Sequence, residues 1–206
     1  MSSRLRFTSA RQIFDTFQTA SDDIATQPTG EEPLTFVRKL AQSQRPIEAV
    51  AFCAYLLPRR EAVWWACQCV RAIQGDQAGA DAALKAAEAW VREPEESTRR
   101  SALDIGVSGN KRAATTWLAR AAGWSGGNIG GAGLAAAPAP PHLTAKAVLA
   151  AIVLAMAKAG ARSQAAWTAA CTDACIRFAE GGDARPRLVQ NVESPRAKNA
   201  GAAPPR

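Results

Sequence analysis

The stretch RPIEAVAFCAYLLPRREAVWWACQCV, residues 45–70, decides the fold. Its first half is apolar on nearly every side, and a helix of that kind lies in the centre of a protein. Pro58 ends this helix and begins a second one, because proline disrupts a helix interior but suits the first turn. The second helix carries Trp64 and Trp65 and has no wholly polar face. The pair predicts a sharp corner or an antiparallel hairpin at the core of an all-α protein.

Helical patterns continue on both sides of this pair, and no segment shows the strict alternation of a strand. The sequence therefore predicts an all-α globular bundle of about eight or nine short helices, forming a single domain over residues 8–182. Trp64, Trp90 and Trp117 recur at intervals of 26 and 27 residues. That spacing leaves an α-solenoid as the alternative, although known repeat lengths fit it poorly.

Three segments fall outside the helical pattern. Residues 1–7 are expected to form a flexible N-terminus. Residues 123–141 form a loop rich in Gly, Ala and Pro, and a loop of that length is either mobile or functional. Residues 183–206 have no periodic apolar face and are expected to form a disordered basic tail.

The net charge of +7 suggests nucleic-acid binding until its distribution is considered. Residues 1–12 carry an excess of three positive charges, and residues 183–206 carry another three. The segment between them is left at +1. Because the body lacks a basic stripe with interleaved aromatic residues, we expect no nucleic-acid interface on it.

The sequence favours a cytoplasmic location. The N-terminus has no apolar run of the length that a signal peptide needs. The most apolar stretch, Ala147–Ala157, is too short to span a bilayer, which requires about 20 residues. The odd number of cysteines, five, argues against a closed set of disulfides and favours free thiols.

No motif for catalysis, metal binding or cofactor binding is present. His142 is the single histidine, and no Ser or Cys motif accompanies it as a triad would require. Cys67 and Cys69 face apart on a helix, whereas Cys171 and Cys175 share a face. With Cys53 they form a conceivable three-thiolate site, but buried free thiols are the favoured interpretation. We therefore assign no catalytic, metal or cofactor residue, expect no cofactor, and favour a protein that is not an enzyme.

The glycine-rich segment of residues 123–131 is not a phosphate-binding loop. It follows a helix rather than a strand, and it lacks the closing Gly-Lys-Ser/Thr of such loops. A flexible connector, attached to the core at one end by Trp124, is the better interpretation.

The start of the tryptophan helix combines charge with aromatic bulk. Arg60 precedes Trp64 by one turn, where its guanidinium would lie on the indole. Glu61 precedes Trp65 by one turn and needs a cationic partner, for which Arg99 or Arg100 is the expected candidate. The favoured role of this cluster is structural, and a ligand groove or a protein-binding hot spot is the alternative. The candidate contact residues are Arg60, Glu61, Trp64, Trp65, Trp124 and Asn128.

These motifs resemble an uncharacterised family of all-helical proteobacterial proteins. The resemblance rests on LPRREAVWWAC (57–67), AWVREPEESTRRSAL (89–103), WSGGNI (124–129) and FAEGGD (178–183), and it spans most of residues 45–183. The family has no assigned catalytic residues. The resemblance implies a gene beside components of type VI secretion systems, and hence an accessory role near the spike and its tip.

The leading hypothesis is a non-catalytic adaptor that binds another protein, such as a secretion spike or tip component or an effector. The 123–141 loop and the C-terminal tail are the expected contact segments. The alternative is a small-molecule-binding helical domain or enzyme with a pocket near Trp64 and Trp65. A third hypothesis is nucleic-acid binding through the basic tails, which would depend steeply on salt.

Overall fold

The computed structural model describes residues 5–130 and 136–188. Over these residues the secondary structure is helical, apart from one isolated bridge between Asn128 and Pro138. The all-α prediction is confirmed, with nine helices of seven residues or more and two single turns. The helices are α1 (Ala10–Thr16), α2 (Ala20–Asp23), α3 (Pro33–Ala41), α4 (Ile47–Leu56), α5 (Arg59–Gln74), α6 (Asp76–Gly79), α7 (Ala82–Arg92), α8 (Glu96–Ser108), α9 (Ala114–Gly123), α10 (Leu143–Ala159) and α11 (Ala161–Ala179).

Local signals in the sequence account for several helix ends. Asp81 accepts hydrogen bonds from two amides of the first turn of α7 through its carboxylate. Glu32 caps α3 in the same way, and Pro33 occupies the first helical position. Gly160 has a φ of +95°, which lets α11 begin directly after α10.

Helix α4 lies at the centre of the bundle, as its apolar sequence predicts. Every residue from Glu48 to Leu56 is buried. Helices α3, α10 and α11 surround it, and α10 also packs on α5 and α9. Contacts between elements so distant in sequence are those of a globular bundle, not of a solenoid in which each repeat touches only its neighbours.

Helix α5 is the other core element, and it has two different faces. Trp65 is fully buried, and its indole Nε1 donates a hydrogen bond of 3.0 Å to the backbone carbonyl of Cys171 on α11. Trp64, about 100° away around the helix, is only half-buried. One side of α5 therefore faces the core and the other reaches the surface.

The described helices include none that is both long enough and apolar enough to cross a membrane. Helix α10 is the most apolar of the long ones, and its buried side faces the core through residues such as Val148 and Ile152.

The ends of the chain are described only in part. Residues 1–4 of the expected flexible N-terminus lie outside the described residues, and Phe7 packs edge-on against Phe17 with ring centroids 6.3 Å apart. Residues 189–206 of the expected disordered tail also lie outside them. Residues 183–188 are described and run across the end of α11, with Ala184 and Pro186 buried.

The two adjacent tryptophans are expected to differ in their contribution to stability. Trp65→Phe removes the indole donor and leaves a buried carbonyl with one partner fewer. It should lower the free energy of unfolding by about 1–3 kcal/mol. Trp64→Phe, at the half-buried position, should change it by less than about 0.5 kcal/mol. Urea unfolding followed by circular dichroism measures both values, and equal losses in the two variants would contradict this assignment of faces.

Candidate functional site

Two neighbouring depressions in the surface share Trp64 and Phe178 and together form one open groove. Their volumes are about 440 and 460 Å³. We call this feature the Trp64 groove. Its lining residues are Arg60, Glu61, Trp64, Gln68, Val91, Arg92, Phe178, Gly182, Asp183, Ala184, Arg185 and Arg187.

The outer face of α5 forms one wall of the groove. Arg60, Glu61, Trp64 and Gln68 follow each other at the spacing that places side chains on one side of a helix. The described parts of α7 and α11 border this side without closing over it, and Trp64 is only half-buried. The groove thus forms because the neighbouring helices cover only one face of α5 and leave the bulky side chain of Trp64 on the other.

The other walls come from two helix ends that are far from α5 in sequence. Val91 and Arg92 close α7, and Phe178 is near the end of α11. The segment after α11 completes the groove beside Gln68. We call residues 182–188 the C-terminal strap.

The C-terminal strap is held against the body by hydrogen bonds. Arg177 on α11 donates from Nη2 to the carbonyl of Arg185 over 2.8 Å. Arg187 forms an ion pair of 2.6 Å with Asp183, which also accepts from the amide of Arg185. That amide, together with the nearby guanidinium groups, lowers the pKa of Asp183 below its usual range. The strap therefore places two arginines at the rim of the groove.

The structure corrects the sequence-based account of Arg60. Its guanidinium was expected on the indole of Trp64. Instead, Nε donates a hydrogen bond of 2.7 Å to the carbonyl of Val91, and Nη2 lies 3.4 Å from that of Arg92. Arg60 therefore caps the C-terminal end of α7, where a cation also offsets the negative end of the helix dipole.

The expected partners of Glu61 were wrong as well. Arg99 and Arg100 both form ion pairs with Glu96 on their own helix, α8. The carboxylate of Glu61 is half-buried in the groove wall and forms no ion pair or hydrogen bond with any residue that the structure describes.

The six candidate contact residues separate into three groups. Arg60, Glu61 and Trp64 line the groove. Trp65 lies in the core. Trp124 and Asn128 belong to the loop after α9 and do not line the groove.

Arg99 organises that loop. Its side chain is only 5% exposed, and it donates to the carbonyls of Gly123 and Asn128 as well as to Glu96. The side-chain oxygen of Asn128 accepts from the amides of Gly130 and Ala137, which ties the two arms of the loop together. The described arms of the 123–141 loop are therefore fixed by hydrogen bonds, and Asn128 has a structural role in them.

Trp124 packs at the start of the same loop. It contacts Trp117 edge-on, with ring centroids 6.3 Å apart, and the guanidinium of Arg120 lies over both indoles. The carbonyl of Trp124 also accepts from the hydroxyl of Thr144 on α10. Trp124 does attach one end of the loop to the core, as the sequence predicts.

The cysteines are all buried free thiols. Cys53, Cys69, Cys171 and Cys175 lie near one another on α4, α5 and α11, with Cys53 beside Cys175 and Cys69 beside Cys171. Burial raises the pKa of the Cys53 and Cys69 thiols, which makes them poor nucleophiles. Within residues 5–130 and 136–188, no group of three or more Cys, His, Asp or Glu side chains is placed to hold a metal ion.

His142 stands at the N-cap position of α10, where the sequence places it. Its side chain makes no capping hydrogen bond there. It does not line the Trp64 groove.

Part of the groove was missed by the sequence analysis. Gln68 could have been found, because it lies one turn after Trp64 on the same face. Val91, Phe178 and the C-terminal strap gave no such signal, since only the packing of α7 and α11 against α5 brings them to the site.

Loss of the buried Arg99 guanidinium should loosen the loop. Arg99→Met leaves the carbonyls of Gly123 and Asn128 without this donor, and it should lower the free energy of unfolding by about 2–4 kcal/mol. Amide exchange at Gly130 should become faster. Arg38→Met, which removes an exposed ion pair with Glu180 away from the loop, is the control and should cost less than about 1 kcal/mol. Thermal unfolding with hydrogen exchange tests both variants, and a similar loss in the two would refute this role of Arg99.

Comparison with known proteins identifies the family and gives no activity. No curated protein and no solved structure shows significant similarity to the chain. Residues 36–179 match the family of unknown function DUF6931. This match covers most of α3 and all of α4–α11, and hence most of the groove, but it ends before the C-terminal strap. The chain therefore belongs to DUF6931, an uncharacterised family, in agreement with the resemblance seen in its sequence.

Proposed function

We propose that this protein is a non-catalytic adaptor that binds another protein through the Trp64 groove. The observation that carries the proposal is a half-buried tryptophan in the wall of an open groove whose rim carries several arginines. Tryptophan and arginine are the residue types most enriched among the hot spots of protein interfaces. A half-buried indole in an open groove contributes less to the stability of a monomer than a fully buried one does.

The shape of the site supports a protein partner over a small molecule. Small-molecule sites usually enclose 70–90% of the ligand surface. The Trp64 groove is open along its length and continues from α7 past Phe178 to the C-terminal strap. An elongated, open groove is suited to a peptide segment or a helix that inserts one or two side chains.

Type VI secretion supplies the proposed context. This context rests on the resemblance in the motifs of residues 57–67, 89–103, 124–129 and 178–183, which implies a gene beside secretion components. The partner would then be a spike component, a tip component or an effector. The groove gives such a partner a place to dock, and the body offers no catalytic motif that would suggest an enzyme instead.

A small-molecule-binding domain remains the second candidate, for one specific reason. The part of the groove beside Arg60 has a volume of about 440 Å³, which lies in the usual range of small-molecule pockets. The unpaired carboxylate of Glu61 in its wall would orient a ligand that carries hydrogen-bond donors. This candidate predicts that a metabolite library contains a compound that raises the melting temperature of the protein but not that of Trp64→Ala.

The adaptor proposal is tested by co-purification of the tagged full-length chain with secretion spike, tip and effector proteins. We expect one of them to bind, and we expect Trp64→Ala to weaken its binding about 10-fold or more, because truncation of a tryptophan hot spot has effects of that size. Surface plasmon resonance with the purified partner measures the change.

Trp167→Ala is the matched control for this experiment. Trp167 is also a partly buried tryptophan packed against the core, but it lies in α11 away from the groove. Its truncation should leave binding within about twofold. Recovery of the chain without any of these proteins, or equal binding by wild type and Trp64→Ala, would contradict the proposal.

A further inference from the structure

We infer that the segment that occupies the Trp64 groove is acidic and carries an apolar side chain. This inference rests on the proposed function, because it specifies the chemistry of the partner at the same site. It is drawn from the apolar wall of the groove, from the charges on its rim and from the charged side chains that have no partner among residues 5–130 and 136–188.

The apolar part of the groove would receive one bulky side chain. Trp64 and Phe178 line both halves of the groove, and Val91 lines the half beside Arg60. Phe178 and Val91 are each 8% exposed, so the half-buried indole of Trp64 provides most of the accessible apolar surface. A leucine, methionine or aromatic side chain placed against Trp64 would remove this surface from water, which is the main source of affinity at such sites.

The rim of the groove is predominantly positive. Four of its lining residues are arginines, and two are acids, Glu61 and Asp183. Residues 13–188, which include the C-terminal strap, carry a net charge of only +2, from 19 basic and 17 acidic residues. The groove therefore concentrates positive charge on a nearly neutral body, and a segment of opposite charge complements it.

Two of these arginines have guanidinium groups that form no ion pair or hydrogen bond within the described residues. Arg92 and Arg185 are exposed, and neither side chain forms an ion pair or hydrogen bond with a residue that the structure describes. Arg60 and Arg187 are already engaged, with the end of α7 and with Asp183 respectively. Carboxylates of a partner would thus find Arg92 in the half of the groove beside Arg60 and Arg185 in the half beside Gln68, and guanidinium groups form charge-assisted hydrogen bonds with carboxylates.

Glu61 favours a peptide over a nucleic acid as the occupant. Its half-buried, unpaired carboxylate would accept a hydrogen bond from a backbone amide of a peptide. A phosphodiester backbone would place negative charge beside both Glu61 and Asp183. The basic segment of residues 189–206 of this chain is also a poor occupant, since it carries Arg196, Lys198 and Arg206 against the single acid Glu193.

The test is a selection from a library of random twelve-residue peptides on the full-length protein, with Trp64→Ala used to remove peptides that bind elsewhere. We expect the recovered peptides to share a net negative charge and one large apolar residue. A fluorescein-labelled consensus peptide then gives dissociation constants by anisotropy. Recovery of neutral or basic peptides, or of none that depends on Trp64, would overturn the inference.

Charge reversal at the rim gives a second readout. Arg92→Glu and Arg185→Glu should each weaken the consensus peptide about 3- to 10-fold at low salt, and less at high salt, because exposed charges are screened. Arg112→Glu is the matched control, since Arg112 is exposed and does not line the groove, and it should change affinity less than twofold. Equal effects of all three variants would refute the assigned charges.

A labelled single-stranded oligonucleotide forms the last arm of the experiment. If it bound more tightly than the peptide, and through Trp64, the peptide inference would be overturned in favour of nucleic acid. The co-purification experiment distinguishes failure of the inferred partner chemistry from failure of the adaptor proposal. A Trp64-dependent protein partner whose docking segment is basic would refute the chemistry inferred here and leave the adaptor proposal in place.

Discussion

The hydrogen bond from the Trp65 indole to the carbonyl of Cys171 joins two residues that are 106 positions apart, and the candidate site depends on it. It fixes the rotation of α5 against α11, because a buried indole donor must find an acceptor. Once Trp65 faces α11, Trp64 must face outward, about 100° around the helix. The same contact brings the end of α11, with Phe178 and the chain beyond it, to the exposed side of α5. The groove is therefore a consequence of how the core is packed.

Arginine side chains define the surroundings of the groove in two different ways. Some of them complete the fold: Arg60 caps α7, and Arg99 holds the loop after α9 through backbone carbonyls. Others, such as Arg92 and Arg185, remain exposed at the rim. A hydrogen bond to a carbonyl or an ion pair with a carboxylate commits a guanidinium to the fold, as in Arg60 and Arg187. The exposed guanidinium groups of Arg92 and Arg185 remain accessible to carboxylates of a partner.

Much of the helical architecture could be predicted, because its causes are local. Pro33 and Asp81 mark helix starts through their own backbone chemistry, and the apolar run of α4 requires burial on all sides. The partners of charged side chains could not be predicted. Glu61 was expected to pair with Arg99, but both arginines at the start of α8 have Glu96 within one turn, and a local partner costs less conformational entropy to hold. The guanidinium of Arg60 likewise donates to a carbonyl of α7, and the spacing of residues within α5 gives no indication of this contact.

The sequence by itself determined that this protein is all-α, that α4 and α5 form its core, and that two adjacent tryptophans on α5 face different directions. These properties follow from the period of the helix and from the chemistry of proline, which act within a few residues. Only the tertiary structure decided which tryptophan is exposed and which residues surround it. The C-terminal tail is an example. In the sequence, Arg185 and Arg187 only add to the charge of the tail, whereas in the structure they line the same groove as Arg60 and Trp64. The strap lies beside Trp64 because segments more than 100 residues apart in sequence pack together. The burial of apolar surface that stabilises this packing is non-directional, so no local sequence pattern reveals it.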